Sequence, residues 1–347
     1  MLVDGLPEQR ADAAPAPPKR RTARALGLLV SAGILVLVAL ASIAIGAKDL
    51  PLAQVWHGLF HDTGTYGDVV VGERIDRTLL GLLAGAALGL AGAVLQALTR
   101  NPLADPGLLG INAGASAAVV TAISFLGVTS LSGYVWFAFL GAAAVGALVW
   151  FLGGSRGATP VRLALAGTAI SAALYGYLQA VMITDDAALG RMRFWTVGSL
   201  ASATGATVGQ VLPFLAAGTV LALLLARPLN ALAMGDDTAR ALGADLNRTR
   251  ALAMLAATVL AGAATAACGP IVFVGLMVPH AVRSFTGPDQ RWILPYAALL
   301  SPVLLLGADI VGRLVARPAE LQVGVVTALI GGPVFILLVR RRRTTQL

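Results

Sequence analysis

The stretch Ala-Leu-Gly-Leu-Leu-Val-Ser-Ala-Gly-Ile-Leu-Val-Leu-Val-Ala-Leu-Ala-Ser-Ile-Ala-Ile-Gly-Ala, residues 25–47, carries no charged side chain. A helix crosses the hydrocarbon core of a bilayer with about 20 apolar residues. A secretory leader also has basic residues before an apolar run, as at Lys19, Arg20, Arg21 and Arg24 here, and small residues after it, as at Gly46-Ala47. Its apolar core is only about 7–15 residues long, however, and here many more apolar runs follow. Residues 25–47 therefore read as a first transmembrane helix. The polar tail before it, 1–24, is rich in Ala, Pro and Arg and is expected to be disordered.

The pattern recurs along the chain, at roughly 77–99, 107–127, 134–153, 160–184, 206–226, 248–267, 271–285, 294–312 and 322–340. The run 271–285 is short and broken by Pro270 and Pro279. Of the 347 residues 57 % are hydrophobic and only 12 % charged, against about 25 % charged in soluble domains. There are too few charges to coat a soluble globule. The 40 glycines suit helices that pack closely in lipid, where burial from water no longer drives association. The fold class is an all-α polytopic membrane protein of about ten transmembrane helices over 25–340, with a short basic tail at 341–347.

A net charge of +8 would point to nucleic acid in a soluble protein. Here the cations sit between apolar runs, where they orient helices, and no nucleic-acid partner is expected. With the N-terminus in the cytoplasm and ten alternating spans, 18 of the 25 Lys and Arg fall on the cytoplasmic side, the Arg340–Arg343 cluster among them. The outside keeps Lys48, Arg74, Arg77, Arg191, Arg193, Arg313 and Arg317. This asymmetry obeys the positive-inside rule and places both termini in the cytoplasm. A short internal echo accompanies it: Leu83-Ala84-Gly85-Ala86-Ala87 recurs as Leu260-Ala261-Gly262-Ala263-Ala264, and Gly92 and Pro102 match Gly269 and Pro279 at the same offset of 177. The two copies would run in opposite directions, as in inverted-repeat transporters, although Ala and Gly are common enough here for chance to produce the match.

No energy source is visible. A phosphate-binding loop needs a Gly-rich turn ending in Lys-Ser or Lys-Thr, and the only lysines, Lys19 and Lys48, precede Arg and Asp. The longest polar interruption on the cytoplasmic side is Arg227–Arg250. Within it Asp236 and Asp237 precede Thr238-Ala239-Arg240-Ala241-Leu242, a short helix with acids at its start, and Gly243 suits its stop. Two short helices separated by Gly235 are expected across the cytoplasmic face. They serve either as a docking site for a partner or as a solvated connector.

Three long strings resemble the FecCD family of iron-siderophore and cobalamin permeases. They are Arg-Asn-Pro-Leu-Ala-Asp-Pro-Gly-Leu-Leu-Gly at 100–110, Gly-Pro-Ile-Val-Phe-Val-Gly-Leu-Met-Val-Pro-His at 269–280, and Pro-Ala-Glu-Leu-Gln-Val-Gly-Val-Val-Thr-Ala-Leu-Ile-Gly-Gly-Pro at 318–333. Asn-Ala-Gly-Ala-Ser at 112–116 and Arg193-Phe194-Trp195 look closest to ferric enterobactin-type permeases. The resemblance implies a subunit of an ATP-binding-cassette importer in a bacterial cytoplasmic membrane, not an enzyme and without a cofactor. It would work with a second permease (a paralogue favoured over a self-copy), a cytoplasmic ATPase dimer and an extracytoplasmic siderophore-binding protein. The cargo would be a ferric siderophore of catecholate type, with heme or cobalamin as the alternative.

Residue by residue, the resemblance places ATPase coupling on Gly235, Asp236, Asp237, Thr238, Ala239, Arg240, Leu242 and Gly243, within a coupling segment 228–245. It places binding-protein docking on Arg74, Arg77 and Arg313. In this sequence Glu73 and Asp76 lie beside the first two arginines and offer them internal partners, and snorkelling to the interface is an equal alternative for each of the three taken singly. The translocation pathway would be lined by Gly167, Thr168 and Ser171 in the fifth span and by Thr327, Gly331 and Gly332 in the tenth. Small residues there also serve plain helix packing.

Other features carry less. His57 and His61, spaced i, i+4, lack a visible third metal ligand. Asp309 lies in the ninth span one turn before Arg313, the expected partner. An ion-driven secondary transporter would favour carboxylates at mid-membrane, which the central spans lack. An intramembrane enzyme would need more than Cys268 and His280.

Overall fold

The computed structural model describes residues 19–61, 64–154, 160–241, 243 and 245–343. Every regular element among them is helical. In chain order these are α1 (Lys19–Ala44), α2 (Leu52–Phe60), α3 (Tyr66–Leu98), α4 (Ile111–Leu126), α5 (Leu131–Gly154), α6 (Pro160–Thr184), α7 (Asp186–Trp195), α8 (Gly205–Leu224), α9 (Ala226–Ala233), α10 (Asp236–Ala241), α11 (Leu246–Cys268), α12 (Val274–Thr286), α13 (Gln290–Val315) and α14 (Val323–Arg343), with a 3-10 turn at Pro106–Leu109. Seven are long and apolar enough to cross a membrane, and α4 and α14 are shorter apolar helices. The short run broken by prolines is α12. The tail before residue 19 and the last four residues lie outside the described residues, as does Leu242.

Centre and rim differ sharply. In α3 and α11 78 % of the apolar stretch is buried, against 11 % in α1 and 17 % in α6. The two central helices carry the Leu-Ala-Gly-Ala-Ala echo and pack on each other. Small residues permit this. An atom added at Gly85 would sit 2.6 Å from the backbone of Pro302 in α13, and one at Gly92 1.8 Å from the Gly275 carbonyl of α12. Two polar side chains of the core bond across helices: Gln96 donates to the Gly275 and Leu276 carbonyls, and Thr265 donates to Asn112 at 3.0 Å. By contrast α1 presents Leu26, Leu29, Val30, Leu37 and Leu40 outward. A helix apolar all round, with its large side chains exposed, needs lipid or a partner as solvent.

Two contacts give the bundle its polarity. Near the start of α1 and α13, the Tyr296 hydroxyl donates to the Arg24 carbonyl at 2.7 Å. Near their far ends, Arg313 donates to the Ser42 and Ile45 carbonyls at 2.8 and 2.9 Å. So α1 and α13 run parallel. The end where they start is called basal below, the other distal. The chain turns back into α14 at the distal end, where Leu321 donates to the Gly312 carbonyl.

Several helix starts differ from the hydropathy reading. Helix α1 begins at Lys19, inside the stretch 1–24 expected to be disordered. Helix α3 begins at Tyr66, well before 77, with Thr65 and Asp68 forming a capping box, so Arg74 and Arg77 are helical. Short helices α2 and α7 appear in connections read as loops. Helix α7 is capped by Asp185, whose carboxylate accepts from Ala187 and Ala188.

Candidate functional site

At the basal end, α9 and α10 form the expected pair of short helices. Gly235 separates them with φ +106, and Gly243 follows α10 with φ +78, both in the region that favours glycine. Helix α9 is anchored by Leu229 and Leu232, both fully buried. Asn230 fastens it to the start of α13: its amide donates to Asp289 at 2.6 Å, and its carbonyl accepts from the Gln290 N–H at 2.8 Å. Desolvation acts against the Asp289 charge, yet hydrogen bonds from Arg291 and Asn230 hold its carboxyl below the usual range.

Helix α10 is fastened by Asp236. One carboxylate oxygen accepts from Arg100, just past α3, and the other from Arg250, in α11, at 2.7 Å. The Arg250 hydrogen bond is the chief reason its carboxyl lies below the ordinary value. The neighbouring Asp237 points into solvent, fully exposed, and pairs with Arg240 on its own helix at 3.1 Å. Thr238 and Gly243 are exposed as well, while Ala239 is buried.

The distal end holds a second charge cluster. Asp309, with no exposure, accepts from Arg77 at 2.7–3.2 Å and pairs with Arg313 at 2.9 Å, the partner its spacing indicated. Arg77 also binds Glu320 at 2.6 Å. The acids that pair with Arg77 are thus Asp309 and Glu320, both more than 230 residues away in the chain, not Glu73 or Asp76. The reason is geometric: the i, i+4 neighbour of a helical arginine lies along the helix, whereas Arg77 reaches across to α13.

Arg74 donates to the carbonyls of Ile43, Ala44 and Lys48, and Arg313 to those of Ser42 and Ile45. Two guanidinium groups therefore cap the negative end of α1. Arg74 and Arg313 are buried, and the Arg77 side chain is 11 % exposed.

The family model described as the FecCD transport family matches residues 34–341. The chain belongs to that family. It is a multi-pass membrane transport component, not an enzyme. The ferric enterobactin transport system permease protein FepD of Escherichia coli (strain K12) is 48 % identical over 321 residues, covering 91 % of this chain and 94 % of that protein. The Fe(3+)-citrate import system permease protein YfmD of Bacillus subtilis (strain 168) is 39 % identical, covering 94 % and 98 %. A solved metal-chelate type ABC transporter in an inward-facing conformation matches with a TM-score of 0.80 at 29 % identity, covering 92 % of this chain and 99 % of that one.

Two of the FecCD strings, 269–280 and 318–333, meet the loop after α7 for a physical reason. Gly198, Gly269 and Gly324 lie backbone against backbone: an atom added at Gly269 would sit 2.2 Å from the Trp195 carbonyl, and one at Gly324 1.7 Å from that of Val197. The Ser199 N–H donates to the Cys268 carbonyl and that of Gly324 to the Gly198 carbonyl. The ends of α11 and α14 are thereby sewn to the loop after α7. In the tenth apolar run, Gly331 packs against the Phe273 ring and Thr327 is buried, its hydroxyl turned back to Gly324.

Of the α6 positions expected to line the pathway, Gly167 is buried against the Leu108 carbonyl, Ser171 is half-buried and bonds the Gly167 carbonyl, and Thr168 is exposed. Gly332 is half-buried with open space around it. Helix α6 packs on α4, α5 and α7, and α14 on α12 and α13, so the two sets are not brought together within one chain. Elsewhere, the His57 and His61 rings stack at 4.9 Å and His57 meets Asp68 at 3.2 Å. No trio of potential metal ligands occurs among the described residues.

Proposed function

We propose that this chain is the permease subunit of an ATP-driven importer that carries ferric siderophores of the catecholate type across the bacterial cytoplasmic membrane. The observation that carries this reading is the 48 % identity to the ferric enterobactin permease over nearly the whole length of both chains. The basal end faces the cytoplasm, with both termini there, in keeping with the excess of Lys and Arg on that side. Ten membrane segments follow from adding the short α4, α12 and α14 to the seven long spans. The surface of α9 and α10 seats a cytoplasmic ATPase dimer, with Asp237, Thr238 and Arg240 available for contact and Gly235 and Gly243 setting the turns.

The exposed face of α6, with Thr168 and the small residues Ala169, Ala172 and Gly176, meets the partner permease and borders the pathway there. A paralogue is the favoured partner. A wall of small uncharged groups holds a bulky chelate weakly, so it can leave. At the distal end, which receives the siderophore-binding protein, Arg74 and Arg313 present no exposed guanidinium in the single chain. Their part in docking is to hold the end of α1 and the start of α3 in shape.

The test is uptake of radiolabelled iron, supplied as tris-catecholate, hydroxamate or citrate complexes, in cells lacking their own permeases but given this chain with its ATPase and partner permease. Catecholate uptake that requires ATP hydrolysis is expected. Uphill accumulation by this chain alone in vesicles under an ion gradient would overturn the reading.

A further inference from the structure

Asp236 and Asp237 are adjacent acids at the start of α10, yet they face opposite ways. Asp237 is in solvent, whereas both oxygens of Asp236 are taken by Arg100 and Arg250. Arg100 is unusual in itself. It sits at φ +50, in the left-handed region that side-chain-bearing residues rarely adopt. Its guanidinium also donates through Nε to the Leu232 carbonyl of α9 at 2.9 Å. One strained residue thus touches both short helices at once.

The chain beyond Arg100 is shaped by two side-chain turns. Asn101 accepts from the Leu103 N–H and Asp105 from that of Gly107, leading into the 3-10 turn at Pro106–Leu109. That turn meets α6 at one close point, where an atom added at Gly167 would sit 2.2 Å from the Leu108 carbonyl, beside a cavity of about 350 Å³ lined by residues of both, Leu108 and Thr168 among them. A continuous line of contacts therefore runs from α10, through Asp236 and Arg100, along 101–109, to α6.

We propose that Asp236 is a positioning residue turned away from the ATPase, and that its clamp on Arg100 and Arg250 passes displacement of α10 to α6 by way of the 101–109 loop. This rests on the reading of α9 and α10 as the ATPase seat. The clamp has two arms with different attachments. Arg250 ties α10 to the central helix α11, and Arg100 ties it to the loop that abuts α6. Because the Asp236 carboxyl lies below its ordinary value, the clamp is charged throughout the physiological pH range.

The experiment compares Arg100→Gln and Arg100→Lys in the full transporter, measuring ATPase co-purification, ATP hydrolysis and iron transported per ATP. With Arg100→Gln the ATPase co-purifies as in wild type, while iron moved per ATP falls about tenfold, within the usual range of coupling energies. Arg100→Lys restores most of the ratio. Arg250→Gln, which leaves the strained turn untouched, lowers the ratio as well and guards against a folding defect in the first variant. An unchanged transport-to-ATP ratio in both Gln variants overturns the proposal, as does loss of the ATPase from both. Failure of the seat reading is separate: it appears as normal ATPase binding when the exposed positions Asp237 and Arg240 are reversed in charge.

Discussion

Each end of the bundle holds one aspartate between two arginines, and the two triads differ almost only in burial. Distally, Asp309 sits between Arg77 and Arg313 with side-chain exposures of 0 %, 11 % and 1 %. Basally, Asp236 sits between Arg100 and Arg250 at 32 %, 39 % and 11 %. Buried charges are tolerated only when every one is matched, and removing one partner is far more costly than the pair is worth. Half-exposed pairs add little to stability and are screened by salt. The distal triad is therefore a lock, reinforced by the α1 carbonyls. The basal triad is a joint: its half-exposed pairs add little to the stability of the fold while linking α10 to α11 and to the chain beyond α3.

The sharpest way to break this contrast is Asp309→Ala. It leaves Arg77 with Glu320 alone and Arg313 with only α1 oxygens. A loss of about 3–5 kcal/mol is expected, seen as a large drop in melting temperature in detergent and in yield. The parallel change, Asp236→Ala, should cost less than about 1 kcal/mol. If the two variants melt together, the distinction between lock and joint fails.

Next in size is Gly243→Leu. No atom of the described residues lies within 4 Å of where its side chain would begin, so the penalty comes from backbone strain at φ +78, about 1–2 kcal/mol. That is enough to displace the end of α10. ATPase-coupled transport should fall while the permease stays folded, and Gly243→Asn, which tolerates this conformation, should recover much of it. Wild-type transport in the Leu variant would remove the turn from the coupling surface.

The same contrast explains what is legible in the sequence alone. Spans, the paired short helices and the Gly243 stop are legible because hydropathy and capping are local. Asp309 with Arg313 is legible because i, i+4 neighbours meet on any helix. The start of α3 is not: Glu73, Arg74, Asp76 and Arg77 interrupt the apolar pattern, and their helix is stabilised by acids and carbonyls remote in sequence. The partners of Asp236 are hidden for the same reason. Its position at a helix start predicts a favourable dipole contact, and nothing in the local pattern points to Arg100, 136 residues away. Burial of Thr327 and Gly331 is also invisible, since small residues on a span look alike whether they face a neighbour or a passage.

The smallest effect expected is one of pH, and it separates two carboxyls at the basal end. Burial pushes the half-buried Asp105 up to about 6, with the Gly107 N–H pulling weakly the other way. Asp236 is held below its ordinary value by Arg250. For Asp105 the folded state binds the extra proton between its ordinary value of 3.8 and about 6, so stability is highest below that window and declines as pH rises through it. For Asp236 the sign is reversed: its contribution is present above the ordinary value and is lost only as pH falls below it. Melting temperature followed between about pH 4 and 7 should therefore sag towards neutrality in the wild type. Asp105→Asn keeps the side-chain oxygen that caps the 3-10 turn but cannot ionise, and should flatten that slope. Asp236→Asn should leave the slope unchanged in this window, because its titration lies lower. A slope that survives in Asp105→Asn would mean that another group, and not this carboxyl, takes up the proton between about pH 4 and 6.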